Sequence, residues 1–411
     1  MNKVEERLAT LKELKNNRDK GIIEGVPLWE KFPRLSKVVP TLEKGQVILN
    51  AAASGVGKSM ITRWKDIVVP WLYVKNNPEV DIDLQFVIFL LEDPEEKFID
   101  YIISIMLYLK FHISVPPKKL TSKAREELSK DILNKIDEVK DDVEDLLSKC
   151  IIHDTIYNSY GIYKTCRELS EDWGTHYYTS LFEEEKPQYI TIVEKNKLKK
   201  LPSGEEKLDK AELLEKGYNL KEYQNFYKYS HYKPKNPKQH VITVTDNINC
   251  LNPDQYEKDL KTAMDNFAYK YMRINVAKHW HWSVVMVQQN VGGAEEKSFD
   301  YQGKMIIDKV TPQLSHLGDS KLTQRACHLI YALFSPSRYR IEEYMKYDVT
   351  RLQNNLRILF ILKNNDGDTD VQIPLFFNGA ASIFEELPLP EHMSKGVYEK
   401  IEKEQKNINK E

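Results

Sequence analysis

The chain has little cysteine. Its four cysteines among 411 residues, Cys150, Cys166, Cys250 and Cys327, form no CxxC pair and have no close His or Cys partner at metal-ligand spacing. A disulfide framework and a zinc module are thereby excluded, and reduced, mostly packed thiols are expected. No run of about 18 apolar residues occurs, which excludes a membrane-spanning helix. The opening "MNKVEERLATLKELKNNRDKG" is highly charged and lacks the apolar centre of a secretory leader. A soluble, cytoplasmic protein of a bacterial cell or a phage-infected host is the expectation. No one sign of charge dominates either. With 60 Lys and Arg against 62 Asp and Glu the formal net charge is -2, so contact with nucleic acid must come from local lysine patches. No internal repeat is found. What is plentiful is apolar content, at 41%, enough for a sizeable core in one large domain or two to three ordinary ones.

The most informative stretch is "ILNAAASGVGKSMITRW", Ile48 to Trp64. An apolar segment of strand length runs into the small-residue loop Ala52-Ala53-Ser54-Gly55-Val56-Gly57-Lys58-Ser59 and then a helix, the order a phosphate-binding loop requires. Alanine stands where the commonest form of that pattern begins with glycine. Gly55 and Gly57 can take backbone angles that aim successive N–H groups at one anion, and the helix starting near Lys58 adds its positive end. Ser54, Gly55, Val56, Gly57, Lys58 and Ser59 are therefore the expected nucleotide-binding residues. Lys58 would hold the β/γ-phosphates and the Ser59 hydroxyl a Mg²⁺ ion. The bland alternative, a glycine turn with a surface lysine, leaves the joint occurrence of strand, loop, Gly-Lys-Ser and helix without a reason.

Around this loop the pattern is α/β. Residues 1–20 read as a short amphipathic helix through Val4, Leu8, Leu11 and Leu14, either docked on a neighbour or a solvated tail. Residues 21–45, rich in Pro and Gly, read as an extended linker into the strand Val47 to Asn50. Residues 46–172 form the first part of the core: a strand ending at Glu92, a charged helical stretch over 118–149, a short strand Cys150 to His153, and a helix containing Tyr163, Cys166 and Leu169. Residues 173–238 break the rhythm and read as an insertion. Its "YQNFYKYSHYKPKNPK" packs tyrosines among lysines, for which single-strand stacking, a partner interface and simple edge cover all remain open. The α/β order resumes over 239–388, and 389–411 is a charged tail, helical or disordered.

Three strand ends carry candidate chemistry. Asp246 closes Val241 to Thr245, a carboxylate at the C-terminal edge of a buried strand and near a phosphate loop at that edge, where it would orient Mg²⁺ through water. Strand-ending aspartates also simply begin turns. Glu92 closes "FVIFLLE", either as the carboxylate that polarises the attacking water or as a first-turn helix acid favoured by the macrodipole. Gln289 closes "VVMVQQN", where its amide either senses the γ-phosphate or stands exposed. The loop from Val291 to Val310 carries Lys297, Lys304 and Lys309, spaced for contact with a phosphodiester backbone, a composition that solvated loops share.

In this order the motifs resemble the C-terminal RecA-like ATPase domain of DnaB-type replicative DNA helicases. "GVPLWEKFPRL" and "LEKGQVILNAAASGVGKS" are similar to the family's path into its phosphate loop, and "FVIFLLED" to the strand whose terminal glutamate is its catalytic base. "VITVTDNINCL" is similar to the magnesium-aspartate strand and "VVMVQQN" to the strand of the sensor glutamine. "QLSHLGDSKLTQRACHLIYALF" resembles the stretch after the DNA-binding loop, and "RILFILKNNDG" with "VQIPLFFNGAASIFEEL" the closing strands. The resemblance implies a RecA-like P-loop NTPase core, a largely parallel central sheet flanked by helices, plus an inserted segment. In it Lys58 and Ser59 bind nucleotide and magnesium, Glu92 activates water, Asp246 assists magnesium and Gln289 senses the γ-phosphate. The implied activity is ATP hydrolysis coupled to movement on single-stranded DNA during replication. The implied partners are single-stranded DNA, facing the Val291 to Val310 loop, further copies in a homo-oligomeric, hexameric ring, and a primase or loader.

The chain also departs from that family. The family's closing strand carries a lysine and, two residues on, an arginine that reaches into the neighbouring subunit's active site. Here Lys363 is followed by Asn365, which cannot supply a delocalised charge to the transferring phosphate. Unless Arg351 or Arg357 substitutes, hydrolysis in trans is expected to be slow. The family's "LRES"-like stretch reads Leu317-Gly318-Asp319-Ser320, and its helical N-terminal domain has no counterpart in the sequence. Two further readings stay open for these reasons: a derived RecA-fold scaffold that binds nucleotide with weak or no hydrolysis, and a recombination or packaging ATPase.

Overall fold

The computed structural model describes residues 3–19, 25–28, 30–121, 128–181, 188–290, 307–318 and 321–410. Its strands, in chain order, are β1 (Val47–Ala52), β2 (Asp83–Leu90), β3 (Cys150–His153), β4 (Gly174–Ser180), β5 (Tyr189–Thr191), β6 (Tyr227–Pro234), β7 (Gln239–Asp246), β8 (Ser283–Gln289), β9 (Leu329–Phe334), β10 (Leu356–Asn364), β11 (Val371–Asn378) and β12 (Ile383–Glu386). The principal helices are α1 (Lys3–Asp19), α2 (58–76), α3 (Glu95–Phe111), α4 (Lys130–Ser148), α5 (Ser159–Trp173), α6 (260–279) and α7 (Lys395–Lys410).

Nine strands form one sheet in the order β12-β11-β10-β9-β1-β8-β7-β2-β3. From β9 to β3 every pairing is parallel, and the three closing strands are antiparallel. The parallel strands read as near-continuous apolar runs because helices cover both faces. Along β2 the period of two is visible inside the run. Phe86 and Ile88 join one core with Trp64 and Ile105, while Val87 and Phe89 join the other with Phe267 and Met286. The helices begin where side chains satisfy their first N–H groups: Ser129 caps α4, Asn158 caps α5 and Asp259 opens α6. Parallel strands end at a common edge. The register sets Leu90 beside Asp246 and Gln289 beside Ala52, which gathers four separate stretches of sequence at one place.

One expectation changes on contact with the fold. Residues 25–45 are not an extended linker. Val26, Phe32 and Leu35 are fully buried, Val26–Pro27 pairs with Thr41–Leu42, and Glu386 accepts hydrogen bonds from the Arg34 and Leu35 backbone N–H groups at 2.9–3.0 Å. The prolines and glycines there mark turns inside a packed segment. In α1, by contrast, Val4, Leu8 and Leu11 are exposed and belong to none of the buried clusters of the described residues.

The segment between α5 and β7 forms a second sheet of its own, order β5-β4-β6, all antiparallel. A small separate core of Leu201, Leu213, Leu220 and Phe226 supports it. It joins the body at the amino ends of β2 and β7, where Lys235 N–H donates to the Trp173 carbonyl at 2.8 Å and Asn236 Nδ2 to Asp83 Oδ2 at 2.8 Å. No helix among the described residues is long and apolar enough to cross a membrane.

Candidate nucleotide site

β1 stops at Ala52 and α2 starts at Lys58, so five residues must reverse the chain. Gly55 and Gly57 do this with φ of +73° and +109°, angles that side chains with a Cβ resist. At Gly57 space is also short, since a Cβ would lie 3.3 Å from the Phe384 ring. Lys58 is buried at the first position of α2, with Nζ 3.7 Å from Glu92 Oε2. Ser59 Oγ donates to Asp246 Oδ1 at 3.0 Å. Asn247 Nδ2 donates to the same Glu92 Oε2 at 3.4 Å. Lys58, Ser59, Glu92 and Asp246, drawn from three stretches of sequence, thus form one constellation.

Burial raises the Asp246 carboxyl above its ordinary pKa, opposed chiefly by the charge of Arg63 and then by the Ser59 hydrogen bond and Lys58. Arg63 was not foreseen. It is 3% exposed, with Nη2 3.1 Å from Asp93 Oδ2 and 3.9 Å from Asp246 Oδ2, and its guanidinium lies over the Tyr101 ring at 4.1 Å. The available signal was its spacing, four residues after Ser59 on a helix and so on the same face. Beneath the loop, Asn50 Nδ2 donates to Thr62 Oγ1 at 2.9 Å and to Asp66 Oδ2 at 2.6 Å. Asp66 pairs with Lys65, whose ammonium lies over Tyr331.

Two arginines grip the loop from its other side. Arg357 Nε donates to the Val56 carbonyl at 2.8 Å, and its Nη1 to the Asn354 carbonyl at 2.7 Å. Arg338 Nη1 donates to the Ser54 carbonyl. Together with Ser54, Gly55, Val56 and Asn354 they line an open cavity of about 520 Å³. Burial lowers the Arg357 pKa to about 10. Arg338 carried no local signal, being 284 residues away from Ser54 in sequence.

The remaining sequence candidates fall elsewhere. Gln289 ends β8 opposite Ala52, and its N–H donates to Asn249 Oδ1 at 2.7 Å. Lys309 is exposed on the short helix Ile307–Val310, while Lys297 and Lys304 lie outside the described residues. The sequence offers three cations for action on a neighbouring subunit, and each is engaged in its own chain. Arg357, 1% exposed, serves its own loop. Arg351 Nε bonds Glu402 Oε1 at 2.6 Å. Lys363 Nζ donates to the Gln324 and Cys327 carbonyls at 3.0 and 2.7 Å.

For magnesium the donor set fits. The Ser59 hydroxyl and Asp246 carboxylate are hard oxygen donors already side by side, the kind of incomplete shell a Mg²⁺ ion completes with phosphate and water. Among the described residues no group of three or more His, Cys, Asp or Glu could hold a metal by itself, so such an ion would arrive with its nucleotide.

A largely parallel sheet with a glycine loop between β1 and α2, and carboxylates at nearby strand ends of the same edge, is the layout of a RecA-like fold. Among solved structures the chain is similar to the ATPase domain of G40P, with a TM-score of 0.59 and 17% identity over 94% of this chain and 100% of that one. It is also similar to a DnaB-like replicative helicase described with its interactions with primase, at a TM-score of 0.59 and 16% identity over 94% of this chain and 68% of that one. The fold is therefore that of DnaB-like helicase ATPase domains. No protein-family profile and no curated protein matches the sequence.

Proposed function

We propose that the chain is an ATP-dependent DNA helicase or translocase of DnaB type, a cytoplasmic ring-forming motor that couples ATP hydrolysis to movement along single-stranded DNA during replication. The observation that carries this reading is the meeting of Lys58, Ser59, Glu92 and Asp246 at one sheet edge. The loop N–H groups and Lys58 take up the β- and γ-phosphates, and Lys58 leaves Glu92 to do so. Glu92 then accepts a proton from water as the water oxygen bonds the γ-phosphorus, and the bond from that phosphorus to the bridging oxygen breaks to release ADP. Ser59 and Asp246 would hold Mg²⁺, which when bound neutralises charge on the β- and γ-oxygens. Gln289 senses the γ-phosphate, and the cavity beside Arg338 and Arg357 receives the nucleoside. Lys297, Lys304 and Lys309 face the DNA. The exposed Leu8 and Leu11 of α1 would meet a neighbouring subunit, and a primase or loader is the further expected partner.

One observation favours a second reading, a nucleotide-binding scaffold with slow hydrolysis. Lys363, Arg351 and Arg357 are all held in cis, and the residues that follow Lys363, "NNDGDTD", bring three aspartates and no arginine. ATP turnover by the purified chain, with and without single-stranded DNA, separates the two. The motor predicts turnover that DNA stimulates and Lys58→Ala abolishes. Turnover indifferent to DNA would sink the motor, and tight binding without turnover would select the scaffold.

A further inference from the structure

The small sheet of β4, β5 and β6 packs one face on the body and turns the other to solvent. β6 reads Tyr-Lys-Tyr-Ser-His-Tyr-Lys-Pro. Simple alternation would put Lys228 on the face opposite to His231 and Lys233. The register breaks instead: Tyr178 pairs with Tyr229 and Tyr177 with His231, leaving Ser230 as an extra residue. This bulge shifts the parity of the strand, so Lys228, His231 and Lys233 share the outer face. Tyr229 and Tyr232 turn inward, where Tyr229 stacks on His279 with ring centres 4.3 Å apart and Tyr232 lies 5.0 Å from His176.

On the outer face Tyr177 stacks on His231, with ring centres 4.8 Å apart and planes 13° from parallel. Tyr189 sets its edge against His231 at 5.3 Å and is 50% exposed. Lys228 and Lys233 are exposed and, among the described residues, stand outside the segment's ion pairs, which use Lys199, Lys216 and Lys238. The segment 174–238 holds 13 lysines against 10 carboxylates, in a chain whose overall charge is -2. Solvent-facing rings among unpaired cations match a polyanion that carries flat bases.

We infer that this outer face binds single-stranded nucleic acid, with bases extending the Tyr177–His231 stack and phosphates meeting Lys228 and Lys233. Three strands span about 10 Å, room for about two or three bases. The platform stands apart from the nucleotide site. It sits at the amino end of β7, whose carboxyl end carries Asp246, so it does not depend on the motor reading.

The test is fluorescence anisotropy of a labelled oligothymidine of about 15 nucleotides, with the full chain and no nucleotide. Tyr177→Ala is expected to weaken binding about tenfold, and Tyr177→Phe to leave it intact. Lys228→Glu with Lys233→Glu is expected to weaken binding and to lower the slope of log affinity against log salt by about 1.4, two phosphates at 0.7 each. ATP binding and the thermal melt serve as folding controls, and Lys58→Ala is expected to retain the nucleotide-independent DNA binding. Unchanged affinity and salt slope in the charge-reversed chain would overturn the inference. So would loss of self-association in sedimentation without loss of DNA binding, which would make a second copy of the chain the occupant.

Discussion

At the carboxyl edge of the parallel strands the chain gathers charge, and at the amino edge it gathers rings. Lys58, Arg63, Glu92, Asp93 and Asp246 meet at the first, with gaps of 3.1 to 3.9 Å between opposite charges. At the second, Trp282 packs against Trp280 and Trp173 with ring centres 5.6 and 5.5 Å apart, and Tyr163 stacks on both Tyr271 and Trp280. A buried charge is satisfied only by a partner, and at the carboxyl edge Glu92 faces Lys58 while Asp93 and Asp246 face Arg63. Rings need only contact, and the amino edge is complete when the inserted sheet packs on it. Function is therefore expected to fail at one edge without loss of fold, and fold at the other without loss of chemistry.

The largest effect is expected from Glu92→Gln. It keeps shape and removes the proposed proton acceptor, so turnover should fall by about a hundredfold or more while ATP still binds. A thermal melt unchanged beside that loss would sharpen the contrast; a collapse in stability would break it, since Glu92 would then be structural. Trp282→Ala is the mirror experiment. Trp282 is 3% exposed, and its truncation should cost about 3–5 kcal/mol of stability, with turnover per folded molecule preserved. Equal losses of turnover and stability there would mean that the two edges are not independent.

Acid should find the amino edge first. His240, at the start of β7, shares a hydrogen bond of 2.8 Å with Ser283 Oγ. Burial, with a smaller push from Lys44, lowers its pKa from 6.5 to about 3. The folded form holds the neutral ring, while the unfolded chain takes up a proton near pH 6.5. Its contribution is therefore whole above that pH and is lost as pH falls toward the folded value, about 2 kcal/mol by pH 5. Burial also lowers His176 and His328 to about 4, so denaturant titrations at pH 7 and pH 5 should differ by at least that amount, and His240→Gln should shrink the difference by about 2 kcal/mol. A pH dependence untouched by the substitution would place the acid-sensitive group elsewhere.

What could be read from sequence follows the same division. The carboxyl edge is built from short local signals: a glycine loop before Lys58 and carboxylates at strand ends, each explained by its immediate neighbours. The order of motifs then carried the likeness to DnaB-type ATPase domains, and the solved structures bear out that fold. Long-range contacts escaped. Arg338 on the Ser54 carbonyl, Glu386 on the Arg34 backbone and Arg357 on Val56 join residues hundreds of positions apart, and no period or spacing encodes them. Ser230 escaped for another reason. A bulge is a relation between two strands, so alternation along one strand alone would put Lys228 on the wrong face.

Arg351 gives the smallest expected effect and the most pointed one. It is the least buried of the three cations that the sequence offers in place of the missing trans arginine, and it is held by Glu402 and by the Tyr398 ring at 4.6 Å. Those contacts tie α7 to the segment before β10, near the surface, where water screens the pair and the energy at stake is small. If they are its whole role, Arg351→Ala should leave DNA-stimulated turnover unchanged and lower the melting temperature slightly. A steep loss of turnover with ATP binding intact would instead mean that Arg351 leaves Glu402 when subunits assemble and reaches a neighbour's γ-phosphate. Mixing the Arg351→Ala chain with a Glu92→Gln chain then decides the matter. Recovery of turnover in mixed rings requires the arginine and the glutamate of one working site to come from different chains.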